Sequence, residues 1–323
     1  MRLFALFSWH RVVLVGVITG CLTVVACDSF TNFFINNDQY SHGLGVPFTV
    51  KQIYWADKFK QGFAPSGQIE RADMDGKNET LLVPGLKEPD GLALDLVFRK
   101  IYWTDHKAGV IQRADLSGKN VETLVPFQIQ GSPAPPPLKG PAGLAIDFPR
   151  ARMYWTEVDG GTITRADYRD GSSAQVVLSN LGGPNSIALA LDVKAYSDVR
   201  RMFWTETVAG KIKRADLDGN NIQELLPNLK SPQGLALNLV AGKMFWVEGS
   251  EIHQANLDGS NNTVFSNLNI NLPYYIALDV AGGHMFWTLA KGQAISNEDP
   301  NFAKSLIITN IQGTPAGIAV GIK

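Results

Sequence analysis

Six tetrapeptides built around tryptophan recur along this 323-residue chain, and they restrict its possible folds more than any other feature. Their spacings are 48, 52, 49, 42 and 41 residues. Every tryptophan except Trp9 belongs to one of them. The six are YWAD (54–57), YWTD (102–105), YWTE (154–157), FWTE (203–206), FWVE (245–248) and FWTL (286–289). Self-similarity at a period of about 40–50 residues is typical of repeat proteins that stack or close into a ring.

Two further motifs accompany the tetrapeptides, one upstream and one downstream. The upstream motif has the form PxGLALD and occurs at 89–95, 141–147, 184–192, 232–238, 273–279 and 315–321. The downstream motif has the form IxRADxDG and occurs at 69–76, 111–118, 163–171, 212–219 and 252–259, with a degenerate version at 294–300. Asp-Gly and Ser-Gly pairs between alternating apolar residues indicate β-hairpins, so each unit is predicted to hold four short strands. The sequence therefore predicts an all-β, six-bladed β-propeller of four-stranded blades.

The two ends of the repeat region predict how the ring closes. The chain enters at a strand of the tetrapeptide type (53–57) and finishes with a lone strand of the PxGLALD type, GIAV at 317–320. We therefore expect the C-terminal strand to join the first blade beside residues 53–57. Such closure hides the strand edges that an open sheet would expose. The propeller is assigned to residues 49–323.

The first 26 residues are predicted to be a signal peptide. A 15-residue run of weakly polar to apolar residues, 12–26, follows Arg2 and Arg11. This length is short for a membrane span and suits the apolar centre of a signal peptide. An ordinary signal peptide and an uncleaved anchor are the alternatives to the lipoprotein type described next.

Both cysteines of the chain lie in or directly after this leader. The run VVAC, which ends at Cys27, resembles a bacterial lipobox, in which the cysteine carries a lipid; the run that ends at Cys21 fits the same pattern. Cys27 is favoured because polar sequence follows it at once. The expectation is an exported protein, lipid-anchored at a membrane surface of the cell envelope and facing the periplasm, with a tether at 27–48.

Composition excludes several classes of function. The formal net charge is −1 and no basic block stands out, which argues against nucleic-acid binding. No cysteine follows residue 27, so the propeller has no disulfide, thiolate metal site or cysteine nucleophile. The five histidines show no metal-ligand spacing and no catalytic motif is present. No catalytic residue, resident metal or cofactor is predicted.

The three linked motifs resemble low-density-lipoprotein-receptor class B repeats, the YWTD repeats of six-bladed propellers. The resemblance covers roughly residues 49–323. It implies a propeller that holds a protein ligand on one end face or packs against neighbouring modules. The chain departs from the receptors because it has no cysteine-rich EGF-like modules, so the resemblance does not imply a receptor.

The first four repeats have both an acid at the end of the tetrapeptide and an arginine in the following strand, whereas the sixth repeat has neither. We interpret them as structural cross-strand pairs rather than as catalytic groups, with the arginine over the tryptophan. A feature that is repeated serves the repeat, whereas a catalytic site is normally single. The four predicted pairs are Asp57/Arg71, Asp105/Arg113, Glu157/Arg165 and Glu206/Arg214.

The end of the propeller where blades connect is the predicted binding face, because loops on a rigid scaffold commonly carry function. Phe59 and Phe63 lie in a long loop there. Four polar residues that follow the marker prolines should crowd the mouth of the central channel: Asp90, Asn185, Gln233 and Tyr274. The prediction is a binding protein for a protein or peptide ligand.

The alternative is a metal-dependent enzyme of the gluconolactonase or streptogramin-lyase kind, with a divalent metal at the channel mouth. Such a site needs several converging oxygen or nitrogen ligands. The mouth positions of two repeats are Ala142 and Ala316, which leaves few strong ligands. A purely structural role is the third possibility.

Overall fold

The computed structural model describes residues 5–8, 11–18 and 21–26 near the N-terminus. In the repeat region it describes residues 51–58, 67–126, 137–191, 200–267, 272–280, 282–290, 294–298, 304–308, 311 and 314–322. The chain forms two compact units, one containing the N-terminal strands and the other comprising Thr49–Asp192 and Val199–Lys323. The second unit contains all six tetrapeptides.

The first unit contains a three-stranded antiparallel sheet, β1 (Ala5–Ser8), β2 (Arg11–Ile18) and β3 (Cys21–Ala26), in that order. The many valines of β2 and β3 favour extended backbone because their side chains are branched at Cβ. Cys27 and the predicted tether (27–48) lie outside the described residues. Cleavage after residue 26 and lipid attachment therefore stay predictions.

The second unit is a six-bladed β-propeller of four-stranded antiparallel blades, which confirms the predicted fold. Blade 1 consists of β27 (Pro315–Ile322), β4 (Lys51–Asp57), β5 (Gly67–Asp73) and β6 (Thr80–Leu86). Blade 2 consists of β7 (Pro89–Asp95), β8 (Lys100–Asp105), β9 (Val110–Asp115) and β10 (Glu122–Val125). Blade 3 consists of β11 (Pro141–Asp147), β12 (Arg152–Glu157), β13 (Thr162–Asp167) and β14 (Gln175–Leu178).

The remaining three blades repeat this order from the axis outwards. Blade 4 consists of β15 (Pro184–Ala190), β16 (Arg201–Glu206), β17 (Lys211–Asp216) and β18 (Gln223–Leu226). Blade 5 consists of β19 (Pro232–Asn238), β20 (Lys243–Glu248), β21 (Glu251–Asn256) and β22 (Thr263–Asn267). Blade 6 consists of β23 (Pro273–Asp279), β24 (His284–Leu289), β25 (Ala294–Glu298) and β26 (Lys304–Ile308).

Helical structure in the described part of the chain is limited to one 3₁₀ turn. The 3₁₀ turn Phe148–Arg150 joins β11 to β12. Among the described residues, no helix has the length and apolar character needed to cross a membrane.

The ring closes as predicted, through the C-terminal strand. β27 pairs with β4 in antiparallel register, with Ile318 opposite Trp55 and Ala319 opposite Tyr54. The innermost strand of blade 1 therefore comes from the far end of the sequence, and its other three strands come from the start of the repeat region.

Aromatic side chains fill the wedges between blades. Each tryptophan of the tetrapeptides is at most 1% exposed. Each of six core clusters joins a tryptophan of one blade to the aromatic side chain that precedes tryptophan in a neighbouring blade, as with Trp155 and Tyr102 or Trp204 and Tyr154. Removing about 150–250 Å² per ring from water stabilises the fold by about 4–6 kcal/mol each, before entropy is counted.

The innermost strands approach one another closely. A Cβ atom on Gly143 would lie 2.5 Å from the carbonyl oxygen of Asn185 in the next blade. Thr156 bridges the same gap, accepting from the Gly143 N–H at 2.9 Å and donating to the Asn185 carbonyl at 2.5 Å. Glycine and threonine therefore recur here because the channel wall leaves no room for a larger residue.

The predicted pairing of tetrapeptide acids with downstream arginines is wrong. In blade 3, Glu157 lies opposite Thr162, and Arg165 lies opposite Tyr154 at the other end of the strand. The other three pairs show the same offset: Asp57, Asp105 and Glu206 lie opposite Gln68, Val110 and Lys211, while Arg71, Arg113 and Arg214 lie opposite Tyr54, Tyr102 and Phe203. The acid lies next to the hairpin turn, so its partner is near the start of the returning strand. The arginine is three residues further along that strand and therefore lies opposite the residue three positions before the acid.

The arginines instead link neighbouring blades. Each donates from Nη1 to a backbone carbonyl of the following blade: Arg71 to Leu116 (3.2 Å), Arg113 to Tyr168 (3.5 Å), Arg165 to Leu217 (3.3 Å) and Arg214 to Leu257 (2.7 Å). The guanidinium of Arg113 also lies 5.9 Å from the ring centroid of Tyr102, within cation–π range. For Arg113 the stacking partner is thus the tyrosine and not the tryptophan.

The acids hold the connections that arrive from the preceding blade. Asp105 accepts hydrogen bonds from the backbone N–H groups of Lys87, Glu88 and Ala108 at 2.9–3.0 Å. Glu206 accepts from the Gly182 N–H at 3.1 Å. These contacts fix the loops at the end of the propeller where the blades connect.

Candidate functional site at the channel mouth

The position directly after the proline of each innermost strand lies at the end of the propeller where blades connect, and it is polar in four of the six blades. Asp90, Asn185, Gln233 and Tyr274 occupy it in blades 2, 4, 5 and 6. Asp90 is 2% exposed and Asn185 is 7% exposed. We call these four residues, with Lys58 and Tyr275, the mouth cluster.

Lys58 joins the mouth cluster from the loop that follows β4. Its Nζ donates to Asp90 Oδ2 at 2.7 Å and to the Tyr274 hydroxyl at 3.2 Å. The same ammonium lies 4.8 Å from the Tyr274 ring centroid. The Lys58 and Asp90 side chains are only 10% and 2% exposed, so this is a buried ion pair.

Tyr274 connects this ion pair to the opposite side of the ring. Its hydroxyl accepts a hydrogen bond from Lys58 at 3.2 Å, and Asn185 lies close enough to lower the pKa of Tyr274. Blades 4 and 6 are not neighbours, so this proximity extends across the channel. The structure therefore brings together three of the predicted binding residues, Asp90, Asn185 and Tyr274, and it adds Lys58.

Neighbouring groups raise the pKa of Lys58 and of both tyrosines in the mouth cluster. Burial alone would lower the pKa of Lys58, but the adjacent Asp90 carboxylate and Tyr274 more than offset it, and the pKa lies above its usual range. The Asp90 charge and burial raise the pKa of Tyr274. Burial, followed by the Asp90 charge, raises the pKa of Tyr275 well above its usual value. Lys58 is thus a permanent cation and both tyrosines stay neutral near pH 7.

Several buried oxygen atoms of the mouth cluster have no hydrogen-bond partner among the described residues. They are Asp90 Oδ1, Asn185 Oδ1, Gln233 Oε1 and the Tyr275 hydroxyl. The Tyr275 hydroxyl faces Asp90 without meeting hydrogen-bond geometry. A buried polar atom without a partner costs about 1–3 kcal/mol, so several of them at equivalent positions of the innermost strands favour a site that receives donor groups from outside.

Other predicted residues are not joined to this network. Gln233 occupies the equivalent position in blade 5, but among the described residues no side-chain hydrogen bond links it to the other members. Phe59 and Phe63 lie outside the described residues, so their place on the binding face stays a prediction.

Sequence reasoning missed Lys58 and Tyr275, although both break the repeat. The residues that follow the other tetrapeptides are His106, Val158, Thr207, Gly249 and Ala290, so Lys58 is the only lysine at this position. Tyr275 stands where four repeats have glycine and one has Ser186. A position-by-position comparison of the six units would have found both.

The mouth cluster does not fit a divalent metal. Asp90 is a hard oxygen ligand, but an ammonium group already neutralises it at 2.7 Å. Among the described residues, no three His, Cys, Asp or Glu side chains are placed to hold a metal ion. Because calcium and magnesium sites rely on several oxygen ligands with carboxylates among them, we assign no metal here.

Comparisons with known proteins support the repeat type and the fold. Residues 99–148 match the family described as low-density lipoprotein receptor repeat class B. The protein cueball of Drosophila grimshawi is 29% identical over 120 residues, which are 36% of this chain. The matched part is only 17% of that relative's length.

Two solved structures share the propeller architecture. A chain in the crystal structure of a nidogen–laminin complex aligns with a TM-score of 0.68 and 22% identity, covering 84% of this chain and 98% of that one. A gluconolactonase from Xanthomonas campestris aligns with a TM-score of 0.61 and 19% identity, covering 81% and 87%. At these identities the similarity shows the fold alone.

Proposed function

We propose that this protein is an exported, lipid-anchored binding propeller that holds a protein or peptide ligand at the channel mouth. The observation that carries the proposal is the group of buried oxygen atoms without partners at that end of the ring. Backbone amides and donor side chains of a polypeptide can fill such acceptors. The rigid blades hold the acceptors in place before binding, which reduces the entropy cost of association.

Two further points support binding over catalysis. One solved relative by fold is the chain from the nidogen–laminin complex, a propeller found in an assembly with another protein. In addition, the raised pKa values of Lys58, Tyr274 and Tyr275 keep the lysine charged and both tyrosines neutral near pH 7. A general acid or base works best with a pKa near the operating pH, and neither tyrosine nor Lys58 meets that condition.

The experiment uses the full-length chain, wild type and variant, as immobilised bait for proteins of its own cell envelope. Each captured protein is then purified and its affinity measured by calorimetry. The double variant Asn185→Ala/Gln233→Ala removes two acceptors without touching the Lys58–Asp90 pair. We expect it to weaken binding about tenfold or more, because each lost hydrogen bond is worth about 0.5–1.5 kcal/mol.

The matched control is Lys119→Ala, in the exposed β9–β10 turn at the opposite end of the propeller. It should bind as the wild type does. Equal affinity in the wild type and the mouth variant would place the ligand elsewhere and contradict the proposal. Turnover of a lactone or a streptogramin with added Ca²⁺ or Mn²⁺, lost in the mouth variant, would favour the enzyme alternative instead.

A further inference from the structure

We infer that the end of the propeller opposite the channel mouth is a membrane-facing surface, which rests on a phospholipid bilayer when the chain is anchored there. We call this end the distal face, and it contains the turns 96–99, 148–151, 239–242 and 280–283 that follow the innermost strands. This orientation rests on the lipid anchor of the proposed function. It adds that the channel mouth points away from the membrane, toward the ligand.

The first observation is where the anchored part of the chain joins the propeller. β4 begins at Lys51, whose Nζ donates to both carboxylate oxygens of Asp279 at 3.2 Å. Asp279 is the last residue of β23, and Tyr274 of the mouth cluster lies near the other end of the same strand. Lys51 therefore lies at the distal face. The chain that carries Cys27 must enter the propeller from that side.

The second observation is the distribution of exposed apolar side chains. Among the described residues, large exposed apolar side chains at the mouth end are Val208 and Leu272, whereas six lie at the turns of the distal face. These six are Val97, Phe98, Val121, Ile222, Val240 and Val280. Polar residues and glycine dominate ordinary turns, so apolar residues repeated at the turns of one end favour a contact surface.

The arrangement of these side chains suits a flat partner. Val97 and Phe98 are 49% and 67% exposed in blade 2, Val240 is 81% exposed in blade 5, and Val280 is 36% exposed in blade 6. All four lie on the turns nearest the propeller axis, where the innermost strands end at one level. A bilayer surface can therefore contact three blades at once, and apolar groups enter the boundary between headgroups and acyl chains.

The third observation is the charge of the distal face. Exposed Arg99 and Arg150 adjoin the apolar turns, and cations of this kind attract lipid phosphates. The outer turns carry exposed acids, which offset this attraction: Asp75, Asp170, Asp218 and Asp258. We therefore expect weak affinity for lipid from the face alone. Anchoring makes weak affinity sufficient, because attachment to the membrane raises the effective concentration of the face.

The test compares two valines that are both 81% exposed in turns, Val240 at the distal face and Val208 at the mouth end. The full-length chain carries Cys21→Ser and Cys27→Ser and an N-terminal hexahistidine tag. Val240→Cys or Val208→Cys is then labelled with an environment-sensitive nitrobenzoxadiazole fluorophore. Vesicles of phosphatidylethanolamine, phosphatidylglycerol and a nickel-chelating lipid hold the protein by its tag.

Tethering should shift the emission of the probe at residue 240 to shorter wavelength and increase its intensity. The emission of the probe at residue 208 should stay as it is in solution. Phe98→Asp should reduce the shift at residue 240, because it places a charge where an apolar ring meets the bilayer. Leu272→Asp, at the mouth end, is the matched control and should leave the shift unchanged. Circular dichroism checks that each variant is folded.

Three results would overturn the inference. One is the absence of a shift at residue 240, and another is an equal shift at residue 208. The third is a shift at residue 240 that grows with protein concentration in the absence of vesicles, since a second copy of the chain would then cover the face. The tag replaces the lipid and the mouth residues Asn185 and Gln233 are unchanged, so the result is independent of lipidation at Cys27 and of the ligand test.

Discussion

At the scale of single residues, one methylene group decides whether the last acid of the tetrapeptide reaches the indole N–H of its own tryptophan. Glu157 and Glu206 reach back and accept a hydrogen bond from the indole N–H of their own tryptophan, at 3.2 and 3.0 Å. Asp105 is one methylene group shorter and accepts from backbone N–H groups of the loop, a contact that Glu157 and Glu206 make in addition to the indole contact. The indole nitrogen of Trp103 is accordingly buried without a partner among the described residues.

Glu206 should make the stability of the protein sensitive to acid. Burial alone would raise its pKa, but Lys213, the Trp204 indole and the Gly182 N–H outweigh this and lower the pKa below its usual 4.5. A lowered carboxyl pKa adds stability above the unfolded value, and that stability is lost as the pH falls through the folded value. Glu206→Gln should therefore be less stable at pH 7 and lose less stability between pH 5 and pH 3.

Urea unfolding at several pH values measures this effect. Glu79→Gln is the matched control, since Glu79 is exposed and its substitution should leave the acid dependence as in the wild type. Parallel pH profiles for the wild type and Glu206→Gln would show that Glu206 contributes no such term.

The inter-blade arginines make a second prediction at this scale. Arg214 donates to the Leu257 carbonyl of the next blade at 2.7 Å and to Gln223 at 2.8 Å. Arg214→Met should lower the free energy of unfolding by about 1.5–3 kcal/mol, the range for hydrogen bonds to a charged group. Thermal and urea unfolding give the value, with Lys119→Met as an exposed control of similar size change. A loss equal to that of the control would contradict the role of the arginine as a link.

At the scale of elements, the innermost strands of the blades determine how tightly the ring can pack. Gly91, Gly143 and Gly317 each lie against backbone of the next blade, with no space for a Cβ atom. Blades 4 and 6 have Ser186 and Tyr275 at this position instead. The Ser186 hydroxyl accepts from the Leu235 N–H at 3.0 Å, so a side chain replaces the direct backbone contact there.

Gly143→Ala tests this close packing. The added methyl group would overlap the Asn185 carbonyl, and overpacking of this kind costs about 1–3 kcal/mol. The matched control is Gly160→Ala, where a Cβ would meet only side-chain atoms, at 3.2 Å or more. Differential scanning calorimetry should show a clearly lower unfolding temperature for Gly143→Ala than for Gly160→Ala. Equal temperatures would mean that the blades can move apart at no cost.

At the scale of the whole molecule, repetition is what made the fold predictable. Six copies of one pattern identify strands, turns and closure together, since an error in one unit is corrected by the others. The same repetition led to the wrong prediction that Glu157 and Arg165 form a pair. Two residues that occur together in several repeats share a role in the repeat, but they need not contact each other. The reach of a side chain across a hairpin depends on register, which residue counts between motifs leave open.

The candidate site was only partly predictable for the opposite reason. Asp90, Asn185 and Tyr274 were identified because they follow a marker proline, so the motif carried their position. Lys58 lies outside every motif and contacts Asp90 and Tyr274 only because the ring brings blades 1, 2 and 6 together. Contacts of this kind depend on closure and cannot be read from any single repeat.

The predicted lipid anchor can be tested on the full-length chain in a Gram-negative host. Metabolic labelling with a fatty-acid analogue should label the wild type and Cys21→Ser but leave Cys27→Ser unlabelled. The sulfur of cysteine is the only attachment point that the lipobox pattern offers, and serine removes it. If Cys27→Ser keeps the label and Cys21→Ser loses it, the lipid is attached at residue 21. If none of the proteins is labelled, the predicted lipid anchor is wrong.

The pairing of β27 with β4 has a consequence for the order of events during synthesis. Residues 51–57 leave the ribosome long before residues 315–322, so the first blade must wait for its innermost strand until almost the whole repeat region has been made. Until then β4 has an open edge, and an open edge can pair with another chain. The nascent protein is therefore prone to intermolecular strand pairing until β27 has been made. A propeller whose first blade held four consecutive strands of the sequence would not have this exposed edge.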